Sequence, residues 1–255
     1  MKIALIQTDI SWENPVQNRI NLEEKINSIK EEVDLVVLPE MFTTGFAMNP
    51  NETFETKEGD TVNWLLKTSK KGNFAIVGSF VIKENSKYYN RLLFVQPNGT
   101  VSKYDKRHLF TLAGEEKVYT AGTEKLIIEY KGFKICPLIC YDLRFPVFSR
   151  NVEDYDVLIY VANWPKPRIN AWDILLKARA VENMSYVIGV NRVGTDNNNL
   201  EYSGHSQVVD YLGNCLIDSK ELDGVFIVDL DKEPMLETRK KLNFLNDKDS
   251  FELKF

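Results

Sequence analysis

Two histidines and three cysteines in a chain of 255 residues leave little material for metal or redox chemistry. Cys136 and Cys140 have no second ligand pair at metal spacing, which argues against zinc. Three thiols without an export signal argue against a disulfide framework and for a reducing, cytoplasmic setting. Basic residues are not in excess. Lys and Arg number 32 against 37 Asp and Glu, a net charge of −5, and they are scattered, so no field for nucleic acid arises. No apolar run approaches the ~20 residues that span a bilayer. The first one, residues 3–6, is too short for a signal-peptide core. The glycines are isolated, so no phosphate-binding loop is present, and no cofactor is expected.

The remaining composition, 44% hydrophobic and 27% charged, is that of a soluble globular protein. Residues 2–7 read as a buried strand. Asn14-Pro15 caps a helix running to about residue 32, with Val16, Ile20, Ile26 and Ile29 on its apolar face. Residues 34–38 form a continuous apolar run, as in a strand covered on both sides. A helix over 61–70, strands over 74–82 and 88–96 around a turn at 83–87, and a strand over 100–105 complete the first half. The second half repeats this order. Strands fall at 126–130 and 133–139, and a helix follows Pro146. A strand at 156–162 precedes a helix over 169–183 with Ile174, Leu175, Ala178 and Val181 inward; three further strands lie at 186–191, 207–210 and 225–230. The pattern predicts an α/β fold, a four-layer α-β-β-α sandwich of two mixed sheets with helices outside. The pattern suits a single domain over 1–255, with 243–255 either a frayed tail or, as its Phe244, Phe251 and Phe255 favour, a C-terminal arm that packs on a partner subunit.

Ligand sites in such sheets lie beyond the carboxyl ends of strands. Three reactive side chains stand there: Glu40, Lys106 and Cys140. Each alone has an ordinary explanation as a solvated carboxylate, a strand-end charge or a core residue. Cys140 ends an apolar strand at the mouth of a strand-to-helix turn, where a helix N-terminus lowers a thiol pKa. Together the three make chemical sense. A thiol attacking an amide or nitrile carbon needs a base, a positive charge at the developing oxyanion and an acid for the leaving nitrogen. The competing Cys–His design has only His108 and His205 to draw on and lacks its usual local signature.

Leu38-Pro39-Glu40-Met41-Phe42, Lys103-Tyr104-Asp105-Lys106-Arg107-His108-Leu109-Phe110 and Ile139-Cys140-Tyr141-Asp142-Leu143-Arg144-Phe145-Pro146 resemble the Glu, Lys and Cys motifs of the nitrilase, or carbon–nitrogen hydrolase, superfamily. Gly122, residues 162–165 and residues 178–183 extend the resemblance from Lys2 to about Leu230. Residues 40–46, His108-Leu109-Phe110 and residues 163–168 are similar to the omega-amidase branch, which includes bacterial 2-oxoglutaramate amidases. The resemblance implies that Glu40 takes the proton of Cys140 and that Lys106, with the Tyr141 N–H, holds the oxyanion. It also implies a second glutamate after the lysine. Glu115, seven residues before Gly122, fits that place, with Glu116 its neighbouring rival.

The implied activity is hydrolysis of the ω-amide of a short 2-oxo dicarboxylate monoamide by a homodimer. The alternatives are another carbon–nitrogen hydrolase (an N-carbamoyl amine amidohydrolase, an aliphatic amidase or a nitrilase) or a non-catalytic small-molecule binder. A terminal carboxylate calls for an arginine and apolar walls. Arg144, Arg168 and Arg192 are the candidate readers, and Phe42, Phe46, Tyr141 and Trp164 the candidate walls. Arg144 has a competing structural reading as a partner of Asp142 or Glu182.

Overall fold

The computed structural model of the protein describes residues 1–254. Its first half runs β1 (Lys2–Gln7), α1 (Pro15–Asn27), β2 (Leu35–Val37), α2 (Pro50–Thr53), α3 (Asp60–Gly72), β3 (Ala75–Glu84), β4 (Lys87–Val95) and β5 (Val101–Asp105). The second opens with β6 (Ile128–Tyr130), β7 (Phe133–Ile139), α4 (Pro146–Ser149), β8 (Val157–Val161), α5 (Ile169–Asn183) and β9 (Tyr186–Val190). It closes with β10 (Val193–Thr195), β11 (Glu201–Ser203), β12 (Gln207–Val209), β13 (Cys215–Asp218), β14 (Gly224–Asp229) and α6 (Lys232–Leu242).

Two six-stranded sheets result, in the orders β14-β1-β2-β3-β4-β5 and β13-β12-β9-β8-β7-β6, with β10 and β11 as a separate ribbon. Each has a parallel centre, β1-β2-β3 and β7-β8-β9, and antiparallel flanks. The two-residue period of the strands sorts their side chains. Ile3, Leu5, Leu35, Val37, Ala75 and Val77 join the apolar side chains of β7 and β8 in one cluster. The alternate residues Ala4, Ile6, Val36 and Ile76 pack with Leu22 and Ile26 of α1 and Val62 and Leu65 of α3. Trp172, Leu176 and Ala180 of α5 cover the second sheet. This is the expected α-β-β-α sandwich of two mixed sheets.

The helix faces differ from the hydropathy reading. In α1, which ends at Asn27 rather than near residue 32, the buried stripe is Asn18, Leu22 and Ile26, while Val16 and Ile20 are 60% and 46% exposed. Asn18 is the cause. Its side chain accepts from the Ser11 N–H at 2.8 Å and donates to the Ser11 and Thr43 carbonyls at 2.7 Å each, pairing loop groups that are costly to bury unpaired. In α5 the buried residues are Trp172, Leu176, Arg179, Ala180 and Asn183, and Ile174 and Val181 face outward. Arg179 donates to the Leu143 carbonyl at 2.6 Å and Asn183 accepts the Asn151 N–H at 2.9 Å, so polar anchoring again sets the face.

The β3–β4 turn is tighter than the expected 83–87. It closes on Asn85 and Ser86, both at positive φ, the conformation that matches strand twist in a two-residue hairpin. The helix after Pro146 is a single turn, and α6, not foreseen, follows an Asp231 cap on the Glu233 N–H. In the C-terminal segment Leu245 is buried and Leu253 packs on the main cluster, while Phe244 and Phe251 are exposed. Phe255 lies outside the described residues. Among the described residues no helix is long and apolar enough to cross a membrane.

Candidate active site

Glu40, Lys106 and Cys140 follow the ends of β2 and β5 in one sheet and of β7 in the other, and meet in one place. Glu40 is fully buried. Its Oε1 accepts from Lys106 Nζ and from Asn90 Nδ2, both at 2.8 Å, and its Oε2 accepts from the Asn163 N–H at 2.8 Å. Asn163 Nδ2 also donates to the Glu40 carbonyl at 2.7 Å, so the residue is fixed by both its backbone and its side chain. The next residue, Met41, is buried at a φ of 42°, and Cys140 sits at 44°. Left-handed backbone at non-glycine residues costs energy, and both instances flank this site.

Lys106 is 1% exposed. Its N–H donates to the Asn90 carbonyl, and its own carbonyl accepts from the Gly122 N–H, each at 3.0 Å. Only glycine fits at 122, because a Cβ there would lie 2.1 Å from the Asp105 carbonyl oxygen. Lys106 Nζ further donates to Glu115 Oε2 at 2.9 Å, and the Phe110 N–H donates to the same oxygen at 2.6 Å. Glu115 is fully buried and Glu116 exposed, so of the two rivals the structure brings Glu115 to the lysine.

The charges set the chemistry. Burial would lower the Lys106 pKa, but the carboxylates of Glu115 and Glu40 beside it outweigh that and raise it, so the ammonium persists. Burial and, against the pull of Lys106, the nearby Glu40 raise Glu115. Burial and the Glu40 carboxylate push the Cys140 thiol well up, with Lys106 opposing. The expected lowering of this thiol is therefore reversed. The physical reason is that residues 140–144 form a short 3-10 turn and α4 is one turn long, so no extended helix dipole reaches the sulfur, while the negative charge of the Glu40 carboxylate stands beside it. A resting thiol with a buried carboxylate in contact is an arrangement for general-base activation on demand. Cys136, fully buried in β7, is also raised by burial and has no such partner.

Behind Cys140 lies a second polar cluster. Asp142 is fully buried and accepts from the Ile139 N–H at 3.0 Å, Tyr104 Oη at 2.7 Å and the His108 N–H at 2.9 Å. His108 Nδ1 is 2.8 Å from the same carboxylate and its ring stacks on Phe145, while His205 Nδ1 is 3.1 Å from Asp173. Both histidines are thus held by aspartates rather than by Cys140.

The thiol opens into a cavity of about 270 Å³ whose lining includes Phe46, Lys106, Tyr141, Arg144, Trp164 and Arg168. The Arg144 guanidinium lies 4.9 Å from the Trp164 ring centre and that of Arg168 5.1 Å from the Phe110 ring centre. Arg144 is not paired with Asp142 or Glu182, which bind Tyr104 and His108, and Arg179, respectively. Two sequence candidates fall elsewhere. Arg192 is fully buried on Asp9 and the Ile10 and Val193 carbonyls, and Phe42 packs against Phe80 and Trp64 in the core between sheet and helices. Asn90, Asn163, Phe110, Tyr202 of β11 and Asp196 in the loop after β10 also belong to the site or its walls. Asn163 and Phe110 lay inside quoted motifs; Asn90, an uncharged residue within β4, carried no signal.

The sequence profile of the carbon–nitrogen hydrolase family matches residues 2–240. Omega-amidase YafV of Yersinia enterocolitica is 43% identical over 98% of this chain and 98% of its own length. The 2-oxoglutaramate amidase of Bacillus subtilis is 34% identical over 96% of each. The crystal structure of XC1258 from Xanthomonas campestris, a CN-hydrolase superfamily protein with an arsenic adduct in the active site, superimposes with a TM-score of 0.97. It is 40% identical and covers 100% of this chain and 99% of that one.

Proposed function

The chain belongs to the carbon–nitrogen hydrolase family, and from that premise we propose that it is a thiol amidohydrolase, an omega-amidase. It converts the monoamide of a short 2-oxo diacid, 2-oxoglutaramate or 2-oxosuccinamate, to the 2-oxo diacid and ammonia. One observation carries the mechanism: the Cys140 thiol, raised by burial and by the Glu40 carboxylate, stands beside that buried carboxylate, which also grips Lys106. Glu40 takes the thiol proton as sulfur attacks the amide carbon. Lys106 and the Tyr141 N–H hold the oxyanion, a kind of contact worth about 10²–10³ in rate. The C–N bond breaks as Glu40 returns the proton to the nitrogen, releasing ammonia and leaving a Cys140 thioester. Glu40 then deprotonates a water that attacks the thioester, and the thiol is restored with the free acid. Glu115 orients Lys106 through its 2.9 Å bond.

Arg144 and Arg168 bind the far carboxylate, while Phe46, Tyr141 and Trp164 wall the chain between. Two guanidiniums resting on aromatic faces, free of carboxylate partners among the described residues, support this assignment. The reading includes a cytoplasmic homodimer. The outward Ile174 and Val181 of α5 support the dimer, which a solution mass near twice 29.4 kDa would verify. The deciding assay is ammonia release from 2-oxoglutaramate and 2-oxosuccinamate against simple nitriles and N-carbamoyl amines. Turnover of the oxo-amides is expected; turnover confined to the other two classes contradicts the omega-amidase assignment.

A further inference from the structure

Phe110 stands on the loop after Lys106, and its backbone and ring face different tasks. The backbone N–H donates to Glu115 Oε2 at 2.6 Å, the oxygen that also accepts from Lys106 Nζ. The ring lines the cavity, meeting Tyr141 edge-on with centres 5.0 Å apart and Phe46 at 6.4 Å. Over this ring lies the guanidinium of Arg168, which comes from the loop following β8. That loop is braced in turn, because Trp164 Nε1 donates to the Arg168 carbonyl at 2.8 Å. One residue therefore touches the group that meets the far end of a substrate and the group that holds the lysine at the reacting end.

We propose that Phe110 is a positioning residue that couples capture of a substrate's terminal carboxylate by Arg168 to the placement of Lys106 at the reacting carbonyl. The proposal rests on the ω-amide reading above. A cation on an aromatic face is held by about 0.5–2 kcal/mol, so an arriving carboxylate re-aims it at low cost and with it the load on the ring. The ring's own backbone is the tether of Glu115, and a displacement of about 1 Å at a reacting centre can cost about 100-fold in rate. Binding energy gained at the far end then appears in the chemical step and not only in affinity. The signature is a higher kcat for an ω-amide ending in a carboxylate than for a neutral amide of the same length.

The test compares the monoamide of glutaric acid with pentanamide, which differ at the far end only, in kcat and KM separately. The wild type is expected to show a kcat advantage for the acid. Phe110→Leu, which retains the N–H to Glu115, and Arg168→Gln each lower that kcat ratio by about tenfold, the size of a lost cation–aromatic contact. The double variant goes no further than the larger single effect. A ring that served packing alone would scale kcat for both amides equally. A ratio unchanged in the variants, or a change confined to KM, overturns the coupling. Arg168→Gln, whose side chain is half-buried on the cavity wall, carries the test if Phe110→Leu does not fold. Absence of ammonia release from every carboxylate-bearing ω-amide overturns the proposed function and the coupling together. Wild-type turnover of 2-oxoglutaramate with an unaffected ratio overturns the coupling alone.

Discussion

Two buried polar clusters flank Cys140, and they are built on opposite principles. In front, Glu40, Glu115 and Lys106 set two carboxylates against one ammonium, with a thiol beside the first. Behind, the single carboxylate of Asp142 gathers two backbone N–H groups, a phenol and an imidazole. The front cluster is a place where a proton has more than one home: burial raises the pKa values of Glu115 and Cys140, while the neighbouring carboxylates raise that of Lys106 against its burial. The rear cluster gives each donor one acceptor and ties the end of β7 to the loop after β5, which fixes where the sulfur stands. Reactivity and rigidity are thus assigned to different carboxylates on either side of one cysteine.

Breaking the front cluster has the larger effect. Glu40→Gln keeps the shape but removes the base, and kcat is expected to fall by about 10²–10⁴ with the fold intact by circular dichroism. Lys106→Met leaves Glu40 and Glu115 facing each other without a cation. Loss of turnover is expected together with about 3–5 kcal/mol of stability, read from denaturant midpoints. The rear cluster yields a different signature. Asp142→Asn places an amide among four donors, costing about 1–3 kcal/mol. It is expected to slow turnover about tenfold, with KM for substrate little changed. Equal kinetic damage from Asp142→Asn and Glu40→Gln would erase the distinction between the clusters.

Alkali offers the mildest probe, since one group of each cluster responds. Burial raises both the Cys140 thiol in front and the Tyr104 phenol behind, the latter aided by Asp142. A folded-state pKa above the unfolded value means that the unfolded chain loses its proton first. The stability from these groups is therefore complete below the unfolded values, about 8.5 for Cys and 10 for Tyr, and is lost as pH rises beyond them toward the folded values. Urea midpoints are expected to be flat near neutrality and to decline above about pH 9. A decline as pH falls from 8 to 6 would contradict the assignment.

Much of this organisation is legible in the sequence because buried parallel strands leave continuous apolar runs. Residues 35–37 and 157–161 need no other evidence, and reactive side chains at their ends are conspicuous. The helix faces were not legible. Asn18 in α1 and Arg179 and Asn183 in α5 face inward for hydrogen bonds to distant loops, a preference that hydropathy does not register. The same blindness hid Asn90, which is uncharged and lies mid-strand, although it donates to Glu40 at 2.8 Å and reaches Glu115 at 3.4 Å. The family's spacing to Gly122 favoured Glu115 and left Glu116 open; in the structure Glu115 is buried on Lys106 and Glu116 exposed, and Gly122 is fastened to the Lys106 carbonyl. The direction of the Cys140 pKa followed from a contact between strand ends 100 residues apart in sequence. Local sequence suggested the opposite.

The central claim is that Cys140 carries the acyl group. Acid-quenching the enzyme during turnover of 2-oxoglutaramate and mapping its peptides by mass spectrometry tests this directly. The account predicts an adduct equal to the substrate less ammonia, placed on Cys140 and not Cys136 by fragmentation of the peptide that holds both, and absent after Cys140→Ala together with turnover. An adduct on Cys136 or Cys215, or continued ammonia release by Cys140→Ala, would contradict it.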